Sequence, residues 1–563
     1  MSNTDIICSE PSSIAQVQAL GEDHLIAADA IRENLATHAV ARIRGAWIRG
    51  SLDLNAIAQR AGGLHLSGCK LDQPLALRCA TLGWVVVEEC VLPGLRAEQA
   101  VIGALSVTDS LITGRDPGGT VRLDGARVAG DVRLDGLRVD NCGGPAVRAA
   151  GLVAGAGVSM RAVDARGTGP DGVACLTGAM VTGDLSLQGA RLIAGSGPAV
   201  SARNLTVGGS AQLDQGFAAT GTGEHGTVCL AGARVARELS LRGATLANRT
   251  GPALGADQVI VGAGIAIDHD FRAIGSGQLA AVRLAGASIG GDLLLDGATL
   301  ANRTGPALAA DQITVTGSVS MNGSGEDGVR FSASGTGERG AIHLADAQIT
   351  GQLSLSGAVL TNGSGPALVA DQATVQGDAL LDEGFTASGG GQQAAVSLAG
   401  TTIGRGLTCS GQAASARPGA PGLDLGQATV GSLVLSDSFA CVPDGGMPLN
   451  VDGLTYTEPP VLLAGNPPVR VPPERQAREW ISCLRHRAAY SAGAYRALAA
   501  AFQRRGDHDA ARRILAAQRD DARARGKHGS HAMARRPTLA MVTPPGAAVR
   551  PRPARAPARS ATP

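Results

Sequence analysis

The chain has 563 residues; 80 are Gly, two are Lys and twelve are aromatic, while 44% are apolar and only 17% are charged. Ordinary globular domains carry more aromatic rings, whose large buried areas anchor cores; collagen would need Gly at every third residue, and abundant Leu, Val and Ala argue against disorder over most of the length. Net charge is +1 but divided: residues 1–470 hold 30 Lys+Arg against 42 Asp+Glu, a balance of −12, and residues 471–563 hold 19 against 6, a balance of +13.

The N-terminal stretch MSNTDIICSEPSS has no basic segment and no long apolar run, so no export signal is expected. No run of eighteen apolar residues suggests a membrane-spanning helix. The ten cysteines include no CxxC pair, which removes the usual zinc and redox spacings. They fit small buried side chains in a reducing cytosol. Residues 1–39 read as an N-terminal helical cap, because Leu25, Ile26, Ile31 and Leu35 share one helical stripe within 14–36, with acids outside it.

Residues 40–456 are periodic. Phe217, Phe271, Phe331, Phe385 and Phe439 are spaced by 54, 60, 54 and 54. Pro145, Pro198, Pro252, Pro306, Pro366 and Pro421 follow almost the same period, mostly within a GPA motif. The one long period holds an insert at about 322–327, made of turn-forming and polar residues, as a surface corner tolerates. A finer period of 11, 13, 13 and 17 residues lies inside the 54, as in the step from Leu284 to Leu295. Each step carries short alternating pieces, LxL and AxL, and such alternation marks strands. Strands this short cannot make an apolar core as hairpins, but four of them per coil can surround one. The expected fold is mainly β: a parallel β-helix, right-handed by the usual crossover preference and four-sided, each 54-residue repeat being two coils. About fourteen coils at ~4.8 Å each would make a rod about 70 Å long. A bore this narrow admits small and branched side chains, which explains the scarcity of aromatics. Glycine is expected at corners that need positive φ.

Residues 457–525 read as a proline-rich connection followed by a C-terminal helical cap. Its first helix opens at Pro472-Pro473 and carries Trp480, Ile481 and Leu484; the second spans 491–505 with Ser491 as N-cap; the third spans about 507–525. A rod needs such caps to cover its open core and unpaired edges. Residues 526–563, rich in Pro, Ala and Arg without periodicity, read as a disordered basic tail.

These segments together carry a resemblance. The coils of LxLxGAxIxGDLxLxGAxL type, the IRENL helix and the AYRALAAAFQRRGDHDAARRILAAQRD segment resemble large actinobacterial proteins of unknown function, over about 22–525. The coils are similar to pentapeptide repeats. Tyr495, Leu498, Ala499, Phe502, Ala511 and Leu515 resemble one tetratricopeptide helix pair. Some relatives are labelled membrane-associated oxidoreductase, which implies a membrane-peripheral protein.

The residues themselves point to no reaction. Gly-Asp pairs at Asp131, Asp184, Asp292 and Asp378 recur at equivalent turns and are read as turn chemistry rather than a calcium ladder. Asp257, Asp311 and Asp371, each followed by Gln, are read as an outward polar ladder. The SGGGQQ stretch at 388–393 lacks the Lys and the following helix of a phosphate loop. The histidines, at 24, 38, 65, 225, 269, 343, 486, 508, 528 and 531, form no pattern with acids or Cys; His269, within Asp268-His269-Asp270, is read as a surface corner. No catalytic, cofactor-binding or metal-ligating residue is therefore expected, and no cofactor. The expected function is a non-catalytic cytoplasmic scaffold that presents a long solenoid face to a protein partner. Nucleic acid and small-molecule substrates are not expected as partners. The alternatives are attachment to an anionic membrane through the basic tail and a carbohydrate-active β-helix enzyme.

Overall fold

The computed structural model describes residues 5–323, 329–415, 421–436, 439, 449–465, 469–485 and 490–533. It is a parallel β-solenoid of about 16 turns, with 13% helix. One coil shows the plan: Val282–Arg283, Ser288–Ile289, Leu293–Leu294 and Thr299–Asn302 are four short strands, which start ladders here called I, II, III and IV. Each pairs in parallel with its counterpart in the next coil: Val282 with Leu308, Ser288 with Thr314, Leu293 with Val319, and Thr299 with Ser332. Ladder I is a 15-stranded sheet and ladder IV a 16-stranded one; ladders II and III join in a single 30-stranded sheet. The strands are short because the chain turns a corner every few residues. Backbone groups therefore find their partners in the coils above and below rather than within the coil.

The segment read as an N-terminal helical cap supplies strands as well as helices. Asp5–Ile7 pairs with Arg42–Arg44, and Leu25–Ala27 pairs with Trp47–Arg49. These strands form a first coil ahead of residue 40, so the count exceeds fourteen. Leu25 and Ile26 thus lie on a strand and not on the helical stripe expected for them: pairing with the next coil satisfies their backbone. Helix α1 is Ile14–Gln18 and α2 is Ala28–His38, whose Ile31 and Leu35 are fully buried over the first coil.

At the other end α3 spans Pro473–Arg485, α4 Ala492–Arg504 and α5 His508–Met533. Ser491 caps α4 by accepting from the Ala494 N–H at 3.3 Å, and Asp507 accepts from the Ala510 N–H at 2.9 Å. Helix α5 continues eight residues into the segment read as disordered from 526; the remainder of that segment, 534–563, lies outside the described residues, as does most of the insert at 322–327.

The C-terminal helices dock on the last coil through polar contacts, those of Gln476 and Trp480 buried and that of Arg504 exposed. Gln476 Nε2 donates to the carbonyls of Leu462 (3.1 Å) and Val471 (2.7 Å), while its Oε1 accepts from the Leu462 N–H at 2.9 Å. Trp480 Nε1 donates to the Pro460 carbonyl at 3.0 Å, and Arg504 Nε to the Thr457 carbonyl at 3.1 Å. Tyr495, Leu498, Ala499 and Phe502 of α4 are buried together with Ala511 of α5.

Candidate functional site

The four Gly-Asp carboxylates singled out in the sequence are each engaged with the neighbouring coil. Asp131 Oδ1 accepts the Gly157 N–H at 3.0 Å, Asp184 that of Ser210 at 2.7 Å, Asp292 that of Ser318 at 2.7 Å, and Asp378 that of Gly406 at 2.9 Å. The four carboxylates are one device repeated. Each accepts a backbone donor that the turn of the next coil leaves free.

The Asp-Gln positions add a side-chain partner to this contact, Asp257 and Asp371 also accepting the Ala285 and Ala399 N–H at 3.2 and 3.0 Å. They end ladder I strands on alternate coils, and their partners stand on the intervening coil. Asp257 pairs with Arg283 at 2.5 Å, Asp311 with His343, and Asp371 accepts from Ser397 Oγ at 2.5 Å. Burial pushes the Asp257 carboxyl up, against the pull of Arg283. The same geometry places Glu98 against Arg122 (3.5 Å) and Asp124 against Arg148 (3.3 Å) nearer the N-terminus. Asp257, Asp311 and Asp371 therefore do not stack on one another, whereas Glu98 and Asp124 hold equivalent positions on consecutive coils, and the charge of Glu98 adds to burial in raising the Asp124 carboxyl. Like charges on adjacent coils would repel, and alternation with Arg, His or Ser avoids this at the first three.

The Gln after each of these acids has positive φ: Gln258 at 56°, Gln312 at 55° and Gln372 at 59°. On two of the intervening coils the equivalent corner is Gly286 (64°) or Gly400 (67°), and a Cβ there would lie 3.6 and 3.4 Å from the Gln Cγ of the coil before. Corners expected to need glycine thus accept a polar residue, Asp346 (56°) on the coil between Gln312 and Gln372 included.

The corner of Asp268-His269-Asp270 is likewise structural. The Asp268 side chain, 7% exposed, lies 3.2 Å from Arg242 Nε and 2.9 Å from His269 Nδ1, whereas the His269 side chain is 74% exposed. His65 and Glu88 meet at 2.6 Å on the ladder III face near the N-terminal end. Among the described residues no three His, Cys, Asp or Glu side chains converge to hold a metal ion. Cys69 and Cys90 stack on consecutive coils, the Cys69 N–H donating to Cys90 Sγ at 3.3 Å; burial drives the Cys90 thiol up. Cys79 lies apart from them on an exposed turn.

A group that was not singled out holds the proline corners. Asn141, Asn248, Asn302 and Asn362 each precede the repeat proline by four residues and are buried. Asn302 Nδ2 donates to the carbonyls of Leu279 (2.5 Å) and Pro306 (2.8 Å), and its Oδ1 accepts from the Thr304 N–H at 3.2 Å. Their constant spacing to proline was the available signal.

Two surfaces stay open. On ladder II the outward residues from Ser288 onward, Ser288, Thr314, Gln348, Thr374, Thr402, Thr429 and Thr455, are all exposed and uncharged, whereas the same row nearer the N-terminus holds exposed Arg127 and Arg234. Thr455 Oγ1 donates to Thr429 Oγ1 at 2.9 Å. Beside the C-terminal helices a groove of about 310 Å³ is lined by Pro459, Pro460, Arg470, Phe502, Arg505 and Asp507. Among the described residues no helix is long and apolar enough to cross a membrane. No protein-family model, curated protein or solved structure matches the chain.

Proposed function

We propose that the protein is a non-catalytic scaffold whose ladder II face receives a macromolecular partner. The observation that carries this reading is the uncharged row from Ser288 to Thr455 on seven successive coils, beside charged groups that are committed to contacts between coils. A flat array of hydroxyls and amides offers many weak, repeated contacts and no cleft in which to orient a reacting bond. Thr374→Glu with Thr402→Glu would set two like charges on that face without touching the core. Affinity capture of the tagged protein from its own cell should give a partner that this double variant loses by at least tenfold. Capture profiles that the variant leaves unchanged would overturn the reading.

A second reading, a membrane-peripheral protein, is favoured by the charge of residues 534–563, which hold six Arg and no acid. Polybasic segments attract anionic lipid at about 1 kcal/mol per residue near the surface. Sedimentation with anionic vesicles, comparing the full chain with one ending at Met533, separates the two readings: this one requires binding that the shortened chain lacks.

A further inference from the structure

The two ends of the rod differ from its sides and from each other. At the first coil, Asp5–Ile7 pairs with Arg42–Arg44 along one edge, and no described residue pairs with its other edge. At the last coil, Val469–Arg470 turns back antiparallel on Leu463–Ala464, and again no described residue pairs with its outer edge. Unpaired backbone donors and acceptors on an edge strand are a template for another strand. Both edges also present a large apolar side chain to solvent: Ile7 is 66% exposed and Val469 64%.

Charge distinguishes the ends. Residues 5–39 hold six acids and one Arg, a balance of −5, and residues 469–533 hold 14 Lys+Arg against six acids, a balance of +8. Asp23 and Glu33 are exposed at the first end, as are Glu22 and Asp29, which lie 4.0 and 3.1 Å from Arg49 and Arg32; Arg470 and Arg505 are exposed at the second, as is Arg475, 3.2 Å from Glu479. Two copies meeting by like ends would bring charges of one sign together, whereas unlike ends attract.

We infer that a second copy of this chain docks head to tail, the acidic end of one rod against the basic end of the next. The contact is heterologous, because the two surfaces are different and lie at opposite poles. Repetition of it gives an open chain of rods rather than a closed dimer. The inference stands independently of the scaffold reading, which concerns the side of the rod.

Sedimentation velocity of the full chain tests it. At roughly 20 mM salt, where screening is weak, the average mass should rise with protein concentration; at roughly 0.5 M salt, where charges are screened within a few ångströms, it should fall back to the monomer. Ile7→Lys and Val469→Glu each alter one exposed edge residue and should each weaken self-association at least tenfold, with the circular dichroism spectrum unchanged. Mixing the two variants is the decisive arm. Each retains one intact end, so the mixture should form dimers and nothing longer. A monomer at low salt at every concentration would overturn the inference. So would association that both variants retain, or association lost only when the chain is ended at Met533, since the basic tail would then be the binding element.

Discussion

Ala273 and Leu300 are ladder partners on consecutive coils, and the corners ahead of them carry the opposite order of size: Phe271 stands before Ala273, and Ala298 before Leu300. The alternation continues through Phe217/Ala219, Ala244/Leu246, Phe331/Ala333, Ala358/Leu360 and Phe385/Ala387, all buried. A large corner residue with a small strand residue thus lies against a small corner with a large strand. Stacked coils interdigitate in this way at the close packing of a protein interior. This is why the repeat is two coils long. Phe271→Ala should cost about 3–5 kcal/mol, read as a lower urea midpoint. Adding Ala273→Leu should recover only part of this, because the introduced leucine would then face both Leu246 and Leu300.

The proline corners depend on a buried amide. Replacing Asn302 by Leu removes two donors and an acceptor from a largely buried site, taking their partner from the Leu279 carbonyl and the Thr304 N–H, while the Pro306 carbonyl keeps the Ala281 N–H at 3.1 Å. Unsatisfied buried polar groups cost about 1–3 kcal/mol each. The expected loss is about 2–4 kcal/mol, measured by thermal unfolding. Asn302→Asp should be no better above its pKa, since a carboxylate accepts but cannot donate to those carbonyls.

Asp116 predicts a pH dependence. Burial works to raise its carboxyl, yet the Gly118 N–H and the guanidiniums of Arg122 and Arg96 outweigh it and hold the group below its ordinary value of 3.8. The unfolded chain therefore takes up the proton first as pH falls. The stability that this carboxylate contributes is present in full above the ordinary value and is lost as pH falls through the lower folded one. The difference in urea midpoint between the wild type and Asp116→Asn should accordingly be largest near neutral pH and should close in acid.

Asp270 has φ of 64°, where the equivalent corners carry Gly216 and Gly384, each at 87°. A side chain in that region is strained, although Asp tolerates it better than most. Asp270→Gly should stabilise by about 0.5 kcal/mol, the relief of strain exceeding the entropy that glycine adds to the unfolded chain. A lower thermal midpoint would show instead that Asp270 makes an interaction that outweighs its backbone.

The periods of Phe and of the GPA motif gave away the solenoid, its four strands per coil and its double-coil repeat, because a rod built from neighbour contacts writes its geometry into the chain at fixed intervals. The roles of individual polar residues were less legible. Asp257 and Asp131 look alike as recurrent acids and each accepts a backbone N–H of the next coil, yet Asp257 alone of the two also meets a cation there. Their partners stand 26 or 28 residues on, where no local pattern announces them.

The sequence alone determined that this chain is a thin, layered β-rod with helices at its ends. Small side chains, turn residues and one period leave little else that could bury them. Only the tertiary structure decided what closes the rod. Leu25–Ala27 reads as a helical stripe in isolation and becomes a strand because Trp47–Arg49 offers it a ladder. Gln476 carries no mark in the sequence and is buried because Leu462 of the last coil offers it both a carbonyl and an N–H. In both places the deciding hydrogen bonds join separate elements, Leu25–Ala27 with Trp47–Arg49 and Gln476 with Leu462, and only folding brings them within reach.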